Sequence, residues 1–109
     1  MRRLLIAMGL TASGPAFAEH PISKFDSRTP DLEMASKRTL NDIERCLIDA
    51  EDWPAPNVYR QPDRPNEVTL IWPNQWPFTY ARVDLTRGPD GGTKVRSWKM
   101  AKQARNCAS

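Results

Sequence analysis

Apolar positions along the chain form one helical stretch followed by several short alternating ones. Between Thr29 and Ala50, the residues Leu32, Ser36, Thr39, Leu40, Ile43, Cys46, Leu47 and Ala50 fall on one stripe, about 120° wide at about 100° per residue. The rest of the stretch is mostly charged or polar, with Met34 and Ile48 as exceptions. The pattern predicts an amphipathic helix. Thr29 can cap it, Pro30 suits the first helical position, and Asp31 favours the positive end of the dipole. A later start at Ser36 or Thr39 is also open, because Thr39 and Asp42 resemble a capping box; Leu32 on the stripe argues for the earlier one. Pro54 disfavours helical geometry at Trp53, so the helix is expected to end near Glu51.

Beyond the Trp53-Pro54-Ala55-Pro56 connector the period changes from helical to alternating. Four strands are expected: Asn57 to Gln61, Glu67 to Trp72, Phe78 to Arg87, and Thr93 to Trp98. The segments between them, 62–66, 73–77 and 88–92, are rich in Pro, Gly, Asn and Asp, the residues that make tight turns. Short turns imply antiparallel pairing in sequence order, a meander. One face would carry Val58, Val68, Leu70, Ala81, Val83, Leu85 and Val95, the natural seat for the helix stripe. The expected fold class is therefore α+β, with one N-terminal amphipathic helix packed on a four-stranded antiparallel meander sheet. Lys99 to Arg105 is expected to form a short terminal helix or turn.

The first residues set the expected compartment. Arg2 and Arg3 precede the apolar run Leu4 to Ala12, and Ala16-Phe17-Ala18 is a small-x-small cleavage signal. This reads as a signal peptide over 1–18 with cleavage after Ala18, which places the protein in the periplasm or outside the cell. The apolar run is too short for the roughly 20 residues of a spanning helix, so no membrane span is expected after cleavage. Residues 19–28 are polar apart from scattered apolar positions, lack periodicity and contain Pro21; they read as a flexible arm. Residues 29–109 then form a single small α+β domain, near the lower end of self-sufficient size. Two cysteines in an exported chain of that size point to a disulfide between Cys46 and Cys107, tying the helix to the C-terminal tail.

The formal charge of +3 includes Arg2 and Arg3, so the domain itself is close to neutral. The charge is unevenly spread: Asp31 to Asp52 is net acidic and Arg82 to Arg105 net basic. Mutual attraction of the two regions accounts for this, and the rival reading is a basic patch for an acidic envelope partner. Export argues against nucleic acid.

His20 is the single histidine, which excludes a histidine metal cluster and argues against a Ser–His triad. The cysteines are too far apart in sequence for a CxxC motif, and a paired cysteine offers no thiolate. No glycine-rich loop opens a helix, and no cofactor or metal is expected. The informative feature is the second sheet face. There Tyr59, Tyr80, Arg82, Arg96 and Trp98 alternate aromatic and cationic groups, with Trp76 in the adjoining loop. Such a face suits stacking on sugars or peptides, and equally suits cross-strand pairing within the protein. The expected function is a non-catalytic binding or interaction protein, monomeric or homodimeric, with a protein or envelope polymer as partner. Two alternatives are an inhibitor of an envelope hydrolase, using Trp76 at a loop tip, and a small hydrolase using carboxylates such as Asp63, Glu67 or Asp84.

Overall fold

The computed structural model describes residues 25–73 and 80–109. The expected leader over 1–18, His20, Trp76 and the expected strand start at Phe78 lie outside the described residues. In chain order the elements are β1 (Leu32–Ser36), α1 (Leu40–Ile48), β2 (Asn57–Tyr59), β3 (Glu67–Trp72), β4 (Ala81–Arg87), β5 (Thr93–Trp98) and α2 (Ala101–Ala108). The five strands form one antiparallel sheet in the order β1-β5-β4-β3-β2. The α+β class, the antiparallel meander of β2 to β5 and the Cys46–Cys107 bond agree with expectation; the strand count and the helix start do not.

The expected helix from Thr29 is in fact a strand, a loop and a shorter helix. Leu32 and Ser36 point inward at period two, with Met34 half-buried between them, and β1 pairs with β5 from Leu32↔Ser97 to Ser36↔Thr93. Leu32 satisfies both the helical and the alternating pattern, so the stripe alone could not decide between them. The ladder to β5 decides it, because helix propensity differences of a few tenths of a kcal/mol per residue yield to a sheet edge that offers backbone partners. The helix starts where the second capping signal lies. Thr39 is the N-cap, with extended backbone, and its Oγ1 accepts a hydrogen bond from the Asp42 N–H at 3.2 Å. Thr39→Ala is expected to cost about 1 kcal/mol. Thr29→Ala, exposed and outside the helix, is expected to leave the denaturation midpoint unchanged.

Leu40, Ile43 and Leu47 of α1 and Met100, Ala104, Cys107 and Ala108 around α2 cover one sheet face, which carries Leu32, Val68, Leu70, Trp72, Ala81, Val83, Leu85 and Val95. Val58 packs at its margin. This is the apolar face expected from the alternation, enlarged by β1 and by the second helix.

The tail is fastened at several points. Cys46 and Cys107 are bonded, with Cα atoms 5.6 Å apart. Ser36 Oγ donates to the Ala108 carbonyl at 2.5 Å, and the Arg38 guanidinium donates to the Cys107 carbonyl at 2.6 Å. These satisfy carbonyls that the end of α2 would otherwise leave open, and Arg38 places positive charge at the negative end of the helix dipole. At the β4–β5 turn Gly91 adopts φ 87°, a left-handed conformation that suits glycine. A Cβ on Gly92 would stand 2.6 Å from the Ser36 carbonyl oxygen, so the turn can approach the end of β1 only because that residue lacks a side chain.

Candidate functional site

The opposite sheet face is organised in transverse rows set by the strand register. One row runs Asn57, Ile71, Arg82, Trp98; the next runs Tyr59, Thr69, Asp84, Arg96, Glu33; a third runs Glu67, Thr86, Lys94, Ala35. The four strand residues singled out from the aromatic–cationic alternation, Tyr59, Arg82, Arg96 and Trp98, therefore do share a face. Tyr80 precedes β4 and is half-buried.

The chain itself occupies one corner of that face. Phe25 is fully buried, with its ring centroid 6.3 Å from that of Trp98. The Arg28 guanidinium lies 5.5 Å above the Phe25 ring, and the Arg28 carbonyl accepts the Trp98 indole N–H at 2.9 Å. Arg82 and Arg96 flank Trp98, their guanidinium carbons 5.0 and 5.1 Å from its ring. The arm expected to be flexible up to Arg28 is thus docked over 25–28, because Phe25 gains more by burial against Trp98 than a short turn loses in entropy. Trp98, 4% exposed, is closed to a ligand in this conformation.

Beside this corner an ion-pair network lies under a groove. Arg82 Nε and a terminal nitrogen donate to the two Asp84 carboxylate oxygens at 2.8 and 2.9 Å. The other terminal nitrogen donates to Asp26 Oδ1 at 2.8 Å, and Thr69 Oγ1 donates to Asp84 Oδ1 at 3.0 Å. Burial works to lower the pKa of Arg82, the hydrogen bonds to Asp84 and Asp26 raise it, and the balance lies above the ordinary arginine value. The hydrogen bond to Glu44 likewise raises Arg60. Groups raised in this way stabilise the fold fully below their unfolded pKa, so neither pair makes stability vary with pH through arginine deprotonation anywhere near neutrality.

The groove has a volume of about 560 Å³ and lies between the 60–67 segment and the sheet. Thr69, Asp84 and Thr86 form its floor, and Tyr59, Arg64 and Arg96 are among its walls. Two of the carboxylates considered for hydrolysis, Asp84 and Glu67, reach it, whereas Asp63 does not line it. Asp84 is held as an anchor, with both oxygens already accepting from Arg82. Among the described residues no three His, Cys, Asp or Glu side chains gather as a metal site. Sequence reasoning named Tyr59, Arg82 and Arg96. It missed Arg64, Thr69 and Thr86, which carry no signal until register places them together. It also missed Phe25 and Asp26, whose aromatic–acidic pairing in a polar arm was the available clue.

Comparison of the chain with protein-family models, with curated proteins and with solved structures produced no match in any of the three.

Proposed function

We propose that the protein is a non-catalytic binding module of the cell envelope and that the groove on the outer sheet face holds its ligand. The observation that carries this reading is the Thr69–Asp84–Arg82–Asp26 network beneath the groove. It spends the central carboxylate on internal hydrogen bonds, so that Asp84 serves as part of a rigid polar floor rather than as a free acid or base. An envelope location follows from the expected leader, and the Cys46–Cys107 bond is compatible with an oxidising compartment.

A groove-filling variant tests it. Thr86→Trp is expected to keep the melting temperature near that of the wild type and to abolish capture of whatever envelope component the purified protein retains. Equal capture by both proteins would remove the groove from the function. Turnover of an ester or polymer that Asp84→Asn or Glu67→Gln abolishes would replace binding by hydrolysis.

A further inference from the structure

Resting on that reading, we propose that the ligand of the groove is an acidic oligosaccharide, its rings against Tyr59 and its carboxylate at Arg96. The first support is the lining. Thr69, Thr86, Gln61, Asp84, Glu67 and the guanidinium groups supply hydrogen-bond donors and acceptors, and this polar lining exceeds the apolar part from Val68, Leu85 and Tyr59, which favours a polar ligand over lipid tails or a hydrophobic peptide. The volume of about 560 Å³ lies within the range of small-ligand sites, about 300–1,000 Å³.

The second support is the length of the middle row. Tyr59 and Arg96 stand at opposite ends of Tyr59–Thr69–Asp84–Arg96, three inter-strand steps apart, or about 14 Å. A bare anion uses only one end of such a row. A ligand that engages both ends is extended and needs polar groups between them, where Thr69 and Asp84 lie. Tyr59 is one of the few large apolar side chains exposed among the described residues, and it presents a ring for stacking.

The third support is the charge at the Arg96 end. Glu33 is shared by two cations: Lys94 Nζ lies 3.6 Å and Arg96 Nε 3.5 Å from the same oxygen. Arg96 Nε makes no hydrogen bond among the described residues, so that pair is loose. Asp84, the cross-strand neighbour of Arg96, is taken up by Arg82, so Glu33 is the carboxylate that faces both Lys94 and Arg96. A planar guanidinium is the group suited to a ligand carboxylate. On the opposite wall Arg64 is 61% exposed and only 3.8 Å from Glu67, a second loosely held guanidinium.

The test titrates the isotope-labelled purified protein, followed by amide resonances, with tetragalacturonate, with its methyl ester and with inorganic phosphate. The acid is expected to shift the signals of Tyr59, Thr69, Asp84 and Thr86 saturably. The ester, which keeps rings and hydroxyls but loses the charge, is expected to bind about tenfold more weakly. Arg96→Gln is expected to weaken binding of the acid by about tenfold and Tyr59→Ala by several-fold. Because Arg96 also packs on Trp98, the exposed Arg64→Gln serves as the second variant, with a smaller loss. Phosphate binding as tight as the acid would reduce the site to a bare anion site and overturn the proposal. Equal binding of acid and ester would overturn the carboxylate requirement. Absence of binding by a protein with a dispersed, folded spectrum would overturn the saccharide itself. The binding-module reading would survive that last result if Thr86→Trp still abolished envelope capture, so the two failures are distinguishable.

Discussion

Reducing the Cys46–Cys107 bond, or replacing both cysteines by serine, is expected to cost about 4 kcal/mol, the largest effect of any local change considered. The bond joins residues 61 apart in sequence, and the chain-entropy model assigns about 4 kcal/mol to a loop of that length. A domain of this size has roughly 5–10 kcal/mol in all, so the bond accounts for a large share. At about 4–8 °C per kcal/mol, the melting temperature should fall by roughly 15–30 °C. The structure says where the loss begins. The helix α2 has eight residues, too few to be stable alone, and it lacks a side-chain cap at its start. Ser36 and Arg38 hold its last carbonyls, but Cys107 holds its buried face. Amides of 101–108 should therefore exchange first on reduction. A thermal melt with and without reductant checks this; a shift under about 4 °C would mean that packing alone keeps the tail in place.

Phe25→Ala is expected to release residues 25–28 from the sheet at a cost of about 2–3 kcal/mol. Truncating a buried phenylalanine in a core costs about 3–5 kcal/mol, but a segment near the described start of the chain can detach without opening the rest. The diagnostic signal is the Trp98 indole N–H, which donates to the Arg28 carbonyl. Its exchange protection should drop at least tenfold, about 1.4 kcal/mol of local opening. Asp26→Asn is the contrasting variant. Its side chain is 59% exposed, so the pair with Arg82 is solvent-screened and its loss should cost less than about 1 kcal/mol. Unchanged protection of Trp98 in Phe25→Ala would show that the turn is held by its polar contacts instead. Release would also uncover Trp98 and Arg82 beside the groove, so the same variant reports whether the docked segment limits access to that face.

The two variants bear on how far the chain could be read without its fold. Strands β2 to β5 were legible because alternation, β-branched residues and proline- or glycine-rich turns all pointed the same way. Their inward residues Val68, Leu70, Val83, Leu85 and Val95 are the core observed. The disulfide was legible because two cysteines in a small domain leave one pairing. The stretch from Leu32 to Ser36 was not, since its residues favour helix locally and its inward positions fit either period. The second sheet face was legible as a composition and not as a site. Aromatic and basic residues could be placed on one side, but not which of them the protein consumes in its own packing.

The amino-acid sequence by itself determined the period of the segments from Asn57 to Trp98, and with it the four-stranded part of the sheet, its apolar face and the covalent link, because these depend on neighbours a few residues apart or on there being only two cysteines. Only the tertiary structure decided that β1 joins β5, that Phe25 closes over Trp98 and that Arg82 turns to Asp84. Each of those outcomes is a competition between distant groups for the same backbone edge, ring or carboxylate, and which one wins depends on distances that local pattern does not contain.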